Sequence, residues 1–361
     1  MTENIKLIEY NKSTMNNIVQ EDLFQISQEN LDWSKLSNKN ILITGANGIL
    51  ASYFIEAILF LIKIGKVTGT CIFALVRNEE KAKLRFESYL KEDCLRFIIQ
   101  DVCEPIHIIN KIDIIIHAAS QASPKYYGID PVGTINPNII GTSNLLKLAK
   151  YKNVENFIYF SSAEVYGNIS IDSPIKETDF GNIDQMNVRS CYAESKRMGE
   201  TICNSWYLQY NIPIKIIRPF HTYGPGMKQD DGRVFADFVF NIVNNQNIEI
   251  KSDGSALRAY CYLKDAILGY FYILFKGTFG EVYNVGNPFQ EYNVKDLATT
   301  LIELFPEKSL RLELNPAYSS AEYIPSTINR FLPDITKIQA LGWNPTSDIQ
   351  TGFYRTILSY Y

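Results

Sequence analysis

The sequence predicts an α/β fold, a doubly wound parallel sheet carrying a smaller mixed α/β lobe toward its C-terminal end. Three observations carry this prediction. Short continuous apolar runs alternate with helical segments from Asn40 onward. The first run opens directly into a glycine turn and a helix. Past Arg218 the alternation loosens into Pro- and Gly-rich stretches. Strands buried on both faces of a parallel sheet read as such runs, and the helical stretches between them serve as right-handed crossovers.

Residues 1–38 are polar, rich in Asn, Gln and Glu, with a weak helical pattern over Asp22–Leu36. They are expected to pack on the main fold as an extension. The strand-like runs follow in order: Ile41–Ile43, Cys71–Val76, Phe97–Ile99, Ile112–Ile116, Phe157–Phe160 and Ile214–Ile217. Beyond Arg218 come a helix at Val234–Asn244, a turn at Ser252–Ser255, a strand at Glu281–Val285, and helices near Val294–Leu304 and Asp334–Leu341. The expected division places residues 39–218, with about 238–266, in a dinucleotide-binding unit. Residues from about 219 to 237 and 267 to 361 are expected to form the smaller lobe.

Composition narrows the function. With 361 residues, 46% of them hydrophobic, the chain can bury a large core or two small ones. A net charge of -4 argues against nucleic acid as a partner. The six cysteines, Cys71, Cys94, Cys103, Cys191, Cys203 and Cys261, form no CxxC pair, so no metal site is expected and reduced thiols are. The N-terminus lacks the apolar core of a secretory signal, and the apolar stretch around Ala57–Ile62 falls short of the roughly 20 residues a membrane span needs. A cytoplasmic protein with no membrane partner is expected.

The turn Gly45-Ala46-Asn47-Gly48-Ile49-Leu50-Ala51 ends the strand Ile41–Ile43. Gly45 permits a tight turn, Gly48 lets a pyrophosphate approach the backbone, and Ala51 lets the helix pack close. The helix start adds N–H groups and a positive dipole end. This is a Rossmann-like dinucleotide signature. Tyr192 and Lys196, spaced by four, share one helix face. A lysine charge favours tyrosinate, which can take the proton of an alcohol as its hydride leaves. Ser162, at the end of the run Phe157–Phe160, sits where ligands bind in such sheets and can share the substrate's proton. His117, a lone histidine beside an apolar run, is expected to be a packed residue.

In this order the motifs resemble the extended short-chain dehydrogenase/reductase family. Thr44 to Ala51 is similar to its TGxxGxxG fingerprint, with Ala51 in place of the last glycine. The resemblance implies cofactor contacts from Gly45, Asn47, Gly48, Ile49, Asp101, Val102, Ala118, Ala119, Ser120 and Pro219, besides Tyr192 and Lys196. Family members that regenerate their own cofactor hold NAD, which is therefore expected here. NADP is the alternative, because the second strand reaches Val76-Arg77-Asn78, with Val76 where an acidic residue would hold a ribose hydroxyl and Arg77 next.

Further segments resemble the nucleotide-sugar branch, from Asn40 to about Pro345. Arg218–Gly226 is similar to its R-x-x-N-x-Y-G-P segment, with His221 in place of Asn. The resemblance implies substrate contacts from Ser162, Ala163, Glu164, His221, Arg233, Arg258 and Arg330, the last two on a diphosphate. It also implies a nucleotide-diphosphate sugar as substrate and a homodimer. Ala163 stands where dehydratases of this branch carry an acid, which disfavours dehydration. Glu164 is kept, as in the UDP-glucuronate decarboxylase subfamily, and joins Ser162, Tyr192 and Lys196 as a catalytic candidate. Gly226 replaces an Arg common in that subfamily. Decarboxylation through a 4-keto sugar leads the expectation. C4 epimerisation, plain dehydrogenation or reduction, and 4,6-dehydration stay open.

Overall fold

Period-two burial organises the main sheet of this computed structural model, which describes residues 16–169, 173–315 and 330–361. Its strands are β1 (Asn40–Thr44), β2 (Cys71–Val76), β3 (Leu95–Ile99), β4 (Ile114–His117), β5 (Asn156–Phe160) and β6 (Ile214–Pro219), with a later one joining at the edge. Along β1, Ile41 and Ile43 enter one core while Leu42 enters the other. On β2, Ile72 and Ala74 divide from Phe73 and Leu75 in the same way. Such strands are buried on both faces, which is why they read as unbroken apolar runs.

The described helices are α1 (Asn17–Gln28), α2 (Ile49–Lys63), α3 (Glu79–Arg85), α4 (Pro131–Asn136), α5 (Thr142–Lys152), α6 (Ser190–Tyr210), α7 (Val234–Val243), α8 (Leu263–Lys276), α9 (Val294–Glu303), α10 (Thr336–Gln339) and α11 (Ile349–Leu358). Helices α2 and α8 cover one face of the main sheet, and α5 and α6 cover the other.

The remaining strands are β7 (His221–Tyr223), β8 (Ile248–Ile250), β9 (Leu257–Tyr262), β10 (Val282–Val285), β11 (Glu291–Asn293), β12 (Leu312–Leu314) and β13 (Arg330–Phe331). The main sheet runs β10-β6-β5-β4-β1-β2-β3, with every neighbouring pair parallel. Strand order reverses between β1 and β4, and the crevice at their carboxyl ends is where such sheets bind ligands.

Two boundaries differ from the sequence reading. Residues 238–266 were expected with the main sheet, yet β9 pairs with β7, β11 and β13, and α7 packs into the lobe's own core. Conversely, β10 was expected in the lobe and instead extends the main sheet beside β6, with α8 on its face. The chain crosses between the units several times, and an apolar run alone does not say which sheet it joins.

The N-terminal extension is bolted down by one carboxylate. Asp22 of α1 is buried; its Oδ2 accepts from Tyr53 Oη at 2.8 Å and Tyr262 Oη at 2.6 Å. Its Oδ1 accepts from Arg355 Nη2 at 2.8 Å. One side chain thereby ties α1 to α2, β9 and α11. The helical pattern expected over Asp22–Leu36 resolves into α1 and a short 3-10 turn at Trp33–Leu36. Residues 1–15 of the extension lie outside the described residues.

Candidate active site

The carboxyl ends of β1, β4, β5 and β6 open into one cleft of about 900 Å³, roofed by the lobe. The glycine turn forms its floor. Gly45 has φ +65°, and a Cβ there would lie 2.6 Å from Ala119 Cα, so neither the conformation nor the space admits a side chain. Gly48 caps α2, whose first-turn residues Ile49, Leu50 and Ala51 line the cleft. The N–H groups of a helix's first turn have no partner within the helix, so they are offered to an anion there.

Ser162 ends the β5 crossing, caps the short turn after it, and accepts from the Glu164 N–H at 3.2 Å. Its hydroxyl lies near the phenol of Tyr192, in the first turn of α6, and favours the phenolate. Helix α6 lies close on β5 because Gly199 faces Tyr159, where a Cβ would come 2.0 Å from the phenol oxygen. Asn138 donates to Ser195 Oγ at 2.9 Å and so pins the preceding π turn to α6. The Tyr192 ring stacks on Tyr127, centroids 5.3 Å apart. Sequence spacing put Tyr192 and Lys196 on one face; these contacts fix where that face points.

Burial pushes the Tyr192 phenol up to about 12, the Ser162 hydrogen bond and the Arg233 charge pull it down, and Glu164 raises it. The expected effect of Lys196 on the phenol is absent among these influences. The lysine Nζ instead donates to the Phe160 carbonyl at 2.6 Å and lies 5.9 Å from the Tyr192 ring centre. Burial lowers the Lys196 ammonium to about 7. Between that value and the ordinary 10.5 the folded chain holds fewer protons than the unfolded one. Stability of the ligand-free protein, measured against Lys196→Met by thermal unfolding, is therefore expected to rise from about pH 7 to about pH 10. A relative stability that falls over that window would contradict the assignment.

The inner end of the cleft is cationic. Arg189, immediately before α6, lies 3.6 Å from Glu164 and over the Tyr127 ring. Arg233 pairs with Asp231. His221 is held well below its usual value by burial and by the charges of Arg258, Arg233 and Arg189. His117 is packed as expected: its Nδ1 meets Thr44 Oγ1 at 2.8 Å, and burial lowers it to about 3.

Most of the residues singled out from sequence line this cleft: Gly45, Asn47, Gly48, Ile49, Arg77, Ala118, Ser120, Tyr192, Lys196 and Pro219 around the turn, and Ser162, Ala163, Glu164, His221 and Arg233 deeper in. Five are set back from its lining, Ala119 among them. Asp101 accepts from the Cys103 N–H, and Val102 is buried against Gly141. Arg258 is buried beside Phe331 and donates to the Leu257 carbonyl. Arg330 departs furthest: it pairs with Glu291 at 2.6 and 2.9 Å, while its strand neighbour Phe331 faces the cleft. Side chains alternate along a strand, so the phenylalanine's side excludes the arginine. Ala119 meets Gly45 through its backbone.

Sequence reasoning missed Arg189, Tyr127, Lys81 and Arg85, all in the lining. Arg189 had a usable signal, standing three residues before Tyr192. Arg85 had none: it reaches from α3, pairs with buried Glu56, and borders the space left by Gly226, whose Cβ would lie 3.5 Å from its Nη2.

The lining fits a dinucleotide. Among the described residues, Asn47 Oδ1, Ser120 Oγ and Ser161 Oγ are buried polar atoms with no partner within the chain, and all three belong to residues that line the cleft. Buried polar groups are otherwise satisfied, so a polar ligand is the natural complement. No described helix is long and apolar enough to cross a membrane.

Comparison with known proteins agrees with this geometry. The model of the NAD dependent epimerase/dehydratase family matches residues 41–286. UDP-glucuronic acid decarboxylase 6 of Arabidopsis thaliana is 32% identical over 318 residues, covering 88% of this chain and 87% of the relative. UDP-glucuronic acid decarboxylase 1 of Xenopus tropicalis is 30% identical over 325 residues, covering 90% of this chain and 72% of its own. Among solved structures, the UDP-glucuronic acid 4-epimerase of Bacillus cereus, in complex with UDP-glucuronic acid and NAD, superposes with a TM-score of 0.76 at 24% identity. That match covers 89% of this chain and all of the other. The dTDP-glucose 4,6-dehydratase of Bacillus anthracis, in complex with NAD, gives 0.73 at 20% identity, covering 89% of this chain and 96% of the other. At these identities the structures speak for the fold.

Proposed function

The chain belongs to the NAD dependent epimerase/dehydratase family, and from that premise we propose that it is a UDP-glucuronate decarboxylase, acting through transient oxidation at C4 of the sugar. The observation that carries the proposal is the single cleft joining the Ser162–Tyr192–Lys196 centre to Glu164 and Arg189, with Ala163 where an acid would stand.

NAD, when bound, supplies the hydride acceptor and later returns the hydride. The chain's residues do the rest. Once its phenol has given up its own proton, the Tyr192 oxygen takes the proton of the C4 hydroxyl, and the Ser162 hydroxyl donates to the substrate oxygen. Lys196, lowered to about 7 by burial, holds its Nζ on the Phe160 carbonyl 5.9 Å from the phenol ring centre. With a ketone at C4, the C5 carboxylate is a β-keto acid. The bond from C5 to the carboxylate breaks, carbon dioxide leaves, and the electron pair moves into the enolate. Arg189 and Arg233 favour binding of the anionic substrate at this end of the cleft. A proton returns to C5, and reduction at C4 restores the alcohol. The methyl of Ala163 cannot donate a proton to a leaving hydroxyl, so elimination of water lacks its acid.

Two lines of support are independent: the relatives of about one-third identity carry this activity in their names, and the cleft's inner end is lined by arginines. The test is incubation with UDP-glucuronate and NAD, read by mass spectrometry. A product lighter by one carbon dioxide is expected. A product lighter by one water, or of unchanged mass with inverted C4, would replace this reading with dehydration or epimerisation. A homodimer and a cytoplasmic location complete the proposal. Light scattering in solution tests the former.

A further inference from the structure

We propose that the cleft accepts a 2′-phosphorylated dinucleotide, so that NADP(H) binds at least as tightly as NAD(H), and that Arg77, assisted by Lys81, sets this preference. The proposal rests on the dinucleotide reading of the glycine turn and is independent of the net reaction.

In doubly wound folds the end of the second strand meets the adenine ribose. A carboxylate there accepts from the 2′-hydroxyl and repels a 2′-phosphate, whereas an arginine does the opposite. Here β2 ends on Val76, which is buried and has nothing to offer a hydroxyl. Arg77 follows; it lines the cleft with 61% of its side chain exposed. Asn78 is engaged elsewhere, its Oδ1 accepting from the Lys81 N–H at 2.8 Å as the cap of α3. That cap starts the helix whose first turn brings Lys81 into the same lining. Two cations therefore follow the position of a ribose-binding carboxylate, which Val76 fills.

Arg77 has acids near it, Asp101 as an ion pair at 3.8 Å and Asp130, whose carboxyl its charge helps to lower, but neither lines the cleft. The carboxylates that line the cleft are Glu164, Asp230 and Asp231, which face Arg189, Lys125 and Arg233 in turn. Asp101 also accepts from the Cys103 N–H. A guanidinium fork matches a phosphate bidentately, and an exposed one pays little to reorient toward it.

The test uses the whole purified protein and reads binding, not turnover. NADH and NADPH are titrated by the fluorescence of the reduced ring, with 2′,5′-ADP and 5′-AMP as competing probes. NADPH is expected to bind as tightly as NADH or more tightly. One charge-assisted contact corresponds to about tenfold, so 2′,5′-ADP is expected to compete about tenfold better than 5′-AMP. Arg77→Asp is expected to reverse the preference toward NADH, and Lys81→Ala to weaken NADPH alone. NADH binding about tenfold tighter than NADPH in the parent would overturn the proposal. So would a preference unchanged in an Arg77→Asp variant that still binds NADH. Binding of neither cofactor would overturn it together with the dinucleotide reading itself.

Discussion

Tyr192→Phe is expected to lower turnover about 10³-fold while leaving the protein folded and its dinucleotide affinity within a few-fold of the parent, the range in which general acid–base groups act. The substitution removes one oxygen. The ring keeps its stacking on Tyr127, and α6 keeps its seat, because that is set by Gly199 against Tyr159 and by Asn138 on Ser195. Ser162 loses the phenol beside it, so the pair proposed to handle the C4 proton is broken at its centre. Steady-state kinetics with UDP-glucuronate, together with NADH titration of the same preparation, separates chemistry from binding. Activity within tenfold of the parent would remove Tyr192 from the reacting centre.

The second large effect is on stability, far from the cleft. Asp22→Ala is expected to cost about 3 kcal/mol, because it leaves two buried phenols and part of Arg355 without their shared acceptor. Arg355 retains Glu21 at 2.8 Å, which keeps the loss toward the lower end for a broken buried pair. Denaturant unfolding of the parent and variant measures the difference. A change below about 0.5 kcal/mol would show that α1 is an ornament on the fold and not a brace.

The sheet and the candidate reacting residues were legible in the sequence for a common physical reason. Strands such as Ile41–Ile43 are buried on both faces, so their composition does not depend on which partner they meet. The glycine turn and the Tyr192–Lys196 pair are local: Gly45 is fixed by its own backbone angle, and the pair by the helical repeat. What escaped the sequence was non-local. Whether Glu281–Val285 joins the main sheet or the lobe depends on the neighbour β6, not on its own residues. Arg330 and Phe331 are adjacent in the chain, and only the register of β13 on β9 decides that the ring faces the cleft while the guanidinium pairs with Glu291. Arg85 reaches the site from a helix with no motif of its own. The charge of Lys196, read from spacing as acting on the phenol, is directed by the Phe160 carbonyl, a backbone group that sequence does not display.

The central claim is that this cleft oxidises C4, releases carbon dioxide and restores C4 with the same hydride. It is tested most directly by supplying UDP-glucuronate deuterated at C4, with unlabelled NAD, and weighing the product. The account predicts a nucleotide sugar lighter by one carbon dioxide that still carries the deuterium. A product that has lost the label to solvent or to a released reduced cofactor, or a substrate that keeps its carboxylate, would contradict it.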